Sequence, residues 1–110
     1  MPEMRRGLAA LTLILLVAAP AHAQTPDALD GKFAFNWNSN PAREKCVRVT
    51  GPLLADFRSP NYRCDLKPRT NTSSGASVRS CTAVKGRKEF LIFETMRACE
   101  NERKDQAANE

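Results

Sequence analysis

Four cysteines, Cys46, Cys64, Cys81 and Cys99, follow a segment that reads as a secretory signal, and this combination limits the chain to a small stapled fold. Met1 to Ala23 has Arg5 and Arg6 as a positive start and an apolar stretch from Leu8 to Ala19. Ala21-His22-Ala23 then forms a small-x-small cleavage site before Gln24. The apolar stretch is 12 residues, short of the roughly 20 that a membrane-crossing helix needs. The first cysteine is Cys46, so none stands at the cleavage point to carry acyl chains. The reading predicts a periplasmic or secreted chain with no membrane span after signal cleavage.

Cleavage leaves 87 residues, a size at which one hydrophobic core supplies little net stability and covalent staples are expected. The cysteine gaps are 18, 17 and 18, without the close Cys pairs that grip zinc or the Cys-x-x-Cys of redox enzymes. Two disulfides are therefore predicted, with no metal and no cofactor, and three pairings are possible. Cys46 to Cys64 and Cys81 to Cys99 both fit Cys-x2-Val-x-Gly-x12-Cys. A bridge from Cys81 in a hairpin to Cys99 on the last helix would tie helix to sheet. The favoured pairs are therefore Cys46 with Cys64 and Cys81 with Cys99.

The pattern along the chain predicts an α+β class: a mainly antiparallel sheet of three or four short strands, a short central helix and a C-terminal helix, both helices on one face. Residues 24–31 read as a flexible leader and 32–110 as a single small domain. Phe33, Phe35 and Trp37 alternate with polar or small residues, the period of a half-buried strand. Trp37 is read as a core anchor, with ligand stacking as the alternative. Lys45 to Val49 suits a helical turn followed by a strand, and Pro52 to Arg58 a short amphipathic helix ended by Ser59-Pro60. Asn61 to Leu66 is a further strand and Lys67 to Ser77 a long loop, in which Asn71-Thr72-Ser73 is a weak glycosylation match.

Val78 to Val84 and Glu89 to Phe93 around Lys85-Gly86-Arg87-Lys88 form a hairpin. The unbroken apolar run Phe90 to Phe93 marks a strand covered on both faces, hence a central one. Thr95 caps a last helix, Met96 to about Ala107, whose apolar side is Met96, Cys99 and Ala107, with Glu100, Glu102 and Arg103 facing water.

The only histidine, His22, leaves with the signal, which removes Ser-His-Asp, Cys-His and imidazole-ligand chemistry from the mature chain. No phosphate loop, dinucleotide fingerprint or calcium loop is present. Asp56 and Asp65 flank apolar segments and read as a cap or a surface ion pair. Removing Arg5, Arg6 and Glu3 leaves 15 basic and 11 acidic residues, a net charge of +4. One Trp and one Tyr give little to stack bases on, so nucleic acid is a poor partner. The expectation is a non-enzymatic exported module that binds or inhibits an unidentified protein or anionic envelope polymer. Its surface would combine the hairpin tip, Lys85, Arg87 and Lys88, with Lys67 and Arg69 of the loop. The alternatives are a structural or stress-related envelope protein with weak affinity for anionic polymers, and a histidine-free hydrolase.

Overall fold

The computed structural model describes residues 25–109; the segment 1–23, read as a signal, lies outside the described residues. Among these, five strands form one antiparallel sheet: β1 (Phe33–Asn36), β2 (Val47–Arg48), β3 (Tyr62–Arg69), β4 (Val78–Ala83) and β5 (Glu89–Phe93). Their order is β2-β1-β5-β4-β3. With the helices α1 (Gly51–Arg58) and α2 (Met96–Ala108), this makes a small disulfide-stapled α+β domain. The fifth strand, beyond the three or four expected, is the two-residue β2 at the edge.

β5 is central because Phe90 to Phe93 are apolar in both directions and can be covered from both sides. Along each strand successive side chains point to opposite faces, and the core divides accordingly. Ala34, Cys81 and Ile92 pack on one face with Leu54 and Phe57 of α1, Val49 and Leu29. Phe35, Val78 and Phe93 pack on the other with Cys99 of α2 and Cys46. On the α1 face Phe57 meets Phe90 and Tyr62 edge-on, both at 5.4 Å between ring centroids; on the α2 face Phe35 stacks on Phe93 at 6.2 Å. The expectation of both helices on one face is overturned: each helix covers its own side.

That arrangement decides the disulfides. Cys81 lies on the α1 face directly opposite Cys64 of the neighbouring strand β3, whereas Cys99 is on α2 across the sheet. The bonds are Cys64–Cys81 and Cys46–Cys99, which corrects the favoured pairing. In the hairpin Cys81 stands opposite Phe90 and Arg79 opposite Ile92. Two disulfides mark a chain suited to an oxidising compartment.

The segment 24–31, read as a flexible leader, holds a regular turn in its described part. Pro26–Leu29 is a 3-10 turn whose Leu29 is fully buried, and Asp27 ion-pairs with Arg58 of α1. Gly31 N–H donates to the Val49 carbonyl and Val49 N–H to that of Lys32, both at 2.8 Å. The reason is the apolar floor that α1 leaves for Leu29, which a local reading does not contain. α1 itself starts with Pro52 in its first turn and stops at Ser59, held extended by Pro60.

The Thr95 hydroxyl accepts the Ala98 N–H at 3.1 Å and caps α2, an arrangement worth about 1 kcal/mol. The buried side of that helix is corrected, however. Met96 is exposed, while Cys99 and Glu102, three residues apart, are fully buried.

Candidate functional site

The basic residues singled out from the sequence fall at two ends of the sheet. Lys85, Arg87 and Lys88 are exposed in the β4–β5 turn, where Gly86 takes a positive φ of 88° that a β-carbon would oppose. They border a groove of about 500 Å³ together with Pro60, Tyr62 and Val84, the last 51% exposed. Among the described residues none of these three cations is ion-paired.

Lys67 and Arg69 lie elsewhere. They belong to β3, not to a loop, and Arg69 pairs with Val78 at the start of β4, whereas the turn follows its end. Six residues of strand separate the two groups, about 20 Å, so the single basic surface expected from the sequence does not form. Arg69 is bound to Asp65 at 2.6 Å, the surface ion pair that Asp65 suggested. That guanidinium, with the Lys67 backbone N–H, holds the Asp65 carboxyl below the usual carboxylate range. β3 is an edge strand, and the sequence Lys67-Pro68-Arg69 blunts its end: Pro68 has no N–H to offer and the two cations deter pairing with another chain.

A second site has only two signals in the sequence, the stacking alternative at Trp37 and the basic Arg69. α2 packs over β1 and β5, leaving the same face of β4 and β3 open beside it. The resulting cleft, about 330 Å³, is lined by Trp37, Asp65, Arg69, Asn71, Ser80 and Glu89, with the loop 70–77 and α2 as one wall. Trp37, read as a core anchor, is 37% exposed. It follows the last residue of β1, where its indole Nε1–H donates to Glu89 Oε1 at 2.8 Å. The other oxygen of Glu89 accepts from Thr82 Oγ1 at 3.2 Å, and its backbone N–H donates to Asn36 Oδ1 at 3.1 Å.

The wall of the cleft is anchored by Glu102. Its carboxylate accepts from Ser73 N–H at 3.2 Å, Ser73 Oγ at 2.9 Å, Ser74 N–H at 2.9 Å and Gln106 Nε2 at 2.9 Å. Burial pushes this carboxyl up, but the donors of Gln106, Ser74 and Ser73 together outweigh it and hold the group at about 2. It stays ionised with its acceptor sites filled, which suits it to fix a loop and not to deliver a proton. The only sequence signal for its burial was the spacing from Cys99 to Glu102 to Gln106, one stripe of a helix.

Glu94, outside the cleft lining, joins Lys32 at 2.8 Å and the lining residue Arg79 at 2.6 Å. These two cations, Lys32 first, hold its carboxyl below the ordinary range.

Comparison with protein-family models, with curated proteins and with solved structures finds no match to this chain.

Proposed function

We propose that the mature chain is an exported binding module that engages an acidic protein through the β4–β5 tip. The observation that carries this reading is the groove at the tip, where three unpaired cations surround an apolar floor of Tyr62, Val84 and Pro60. Charge alone would suit any anionic polymer. An exposed valine and a half-buried tyrosine beside the charges add a shape that a protein partner can complement. The Cys64–Cys81 bond, joining the strands that lead to this groove, keeps it ordered before binding, which lowers the entropic cost of association. The signal-like segment and the two disulfides support export.

The test is affinity capture of envelope and secreted proteins by the mature domain, with wild type and the triple variant Lys85→Glu, Arg87→Glu, Lys88→Glu compared. A retained acidic protein is expected, bound about tenfold or more weakly by the variant, because reversed charges oppose the partner across the interface. It should survive a rise to about 0.5 M salt, which screens exposed charges but leaves apolar contact intact. Equal capture by the variant, or no captured protein at all, would rule the reading out. Binding that disappears at modest salt would favour weak association with anionic polymers instead.

A further inference from the structure

The cleft beside Trp37 opens on the α2 face, whereas the tip groove is bordered by Tyr62, which packs with the α1-face cluster. Its chemistry is also different. We propose that this cleft is a binding site for a neutral saccharide, with one sugar ring stacked on the indole of Trp37.

The ring is held ready. Its N–H is already satisfied by Glu89, and Glu89 is in turn fixed by Thr82 and Asn36, so the indole, 37% exposed, lines the cleft without having to be ordered on binding. An exposed indole pinned by its polar edge is spent as a packing residue only in part, and the C–H face of a pyranose is a flat apolar surface of matching size. Trp37 also lines the adjoining hollow of about 290 Å³ bounded by Pro41, Ser73 and Asn109. The two hollows share Trp37, Ser73 and Gln106, so a ring on Trp37 has further space beside it for a neighbouring unit.

The polar groups match hydroxyls, which both donate and accept. Asp65 offers acceptors and Arg69 donors, and the side chains of Asn71 and Ser80 have no protein hydrogen-bond partner among the described residues. Charge selects against anions. Over the lining three carboxylates, Asp65, Glu89 and Glu102, outnumber two guanidiniums, Arg69 and Arg79, which leaves the cleft net negative. A phosphate, sulfate or uronate would be repelled where a neutral sugar is not.

Trp37 is the only tryptophan, so its emission reports on this site alone. The mature domain should be titrated separately with tri-N-acetylchitotriose, cellotriose and maltotriose up to about 20 mM, the range of a weak single-site ligand. At least one should shift the emission to the blue and protect it from acrylamide quenching. By calorimetry Trp37→Ala should weaken that ligand about tenfold or more, and Asn71→Ala, an exposed change that leaves the reporter in place, about threefold. Trigalacturonate, an acidic counterpart, should bind more weakly than the neutral trisaccharide. No emission change with any of the three sugars, an unaltered Kd in a folded Trp37→Ala variant, or preference for trigalacturonate would each overturn the proposal. None of these outcomes depends on the tip, so this site and the protein-binding reading stand or fall separately.

Discussion

Replacing Cys46 and Cys99 together by alanine should lower the unfolding free energy by about 4 kcal/mol, the loop-closure value for residues separated by 53 positions. The same double change at Cys64 and Cys81, 17 apart, should cost about 3 kcal/mol. Packing sharpens the contrast. Cys64 and Cys81 sit in strands already joined by ladder hydrogen bonds. Cys99 instead tethers a helix whose buried side chains are only Cys99 itself and Glu102. Loss of about 4 kcal/mol is a large part of the 5–15 kcal/mol that holds a small domain together. Urea unfolding followed by circular dichroism checks the order; a larger loss for the Cys64/Cys81 variant would contradict it.

Glu102→Ala should destabilise the domain by about 3 kcal/mol, since it leaves the Ser73 and Ser74 N–H groups and Gln106 without their buried acceptor. The loop 70–77 should loosen with it, seen as faster tryptic cleavage after Arg69. The conservative Glu102→Gln keeps the volume and isolates the charge. Because the folded carboxyl is held at about 2, below its ordinary value of 4.5, the ionised form stabilises the fold. That contribution is complete above the unfolded value and is lost as pH falls from about 4.5 towards 2. The advantage of wild type over Glu102→Gln should therefore be largest near pH 7 and vanish near pH 2. A constant difference across that window would show that the charge is not what holds the loop.

Glu102 and the cysteines also mark the limit of what neighbouring residues specify. The central place of β5 was legible in Phe90 to Phe93, because a strand apolar on both faces has no solvent side. The start and end of α1 were legible in Pro52 and Ser59-Pro60, and the cap of α2 in Thr95, because each acts within one turn of its own helix. Glu102 reads as water-facing because two of its three donor residues, Ser73 and Ser74, are 29 and 28 residues away. Trp37 was read as core for the same reason: the carboxylate that pins its ring at the surface is 52 residues distant. The cysteine pairing failed at one step. Cys81 and Cys99 can join only if α2 lies on the face that Cys81 occupies, and which face a helix takes is set by the whole sheet. Leu29 was assigned to a leader since nothing near it in sequence reveals the floor made by α1.

Both candidate sites depend on this two-faced scaffold, with the tip groove bordered from the α1 side and the cleft walled by α2. The most direct measurement is a tryptic map of the non-reduced domain, in which Cys46, Cys64, Cys81 and Cys99 fall in separate peptides, 46–48, 64–69, 80–85 and 98–103. The account predicts that peptide 46–48 is joined to 98–103 and 64–69 to 80–85. Finding 80–85 joined to 98–103 would contradict it, because that bond cannot form while Cys81 and Cys99 lie on opposite faces of the sheet.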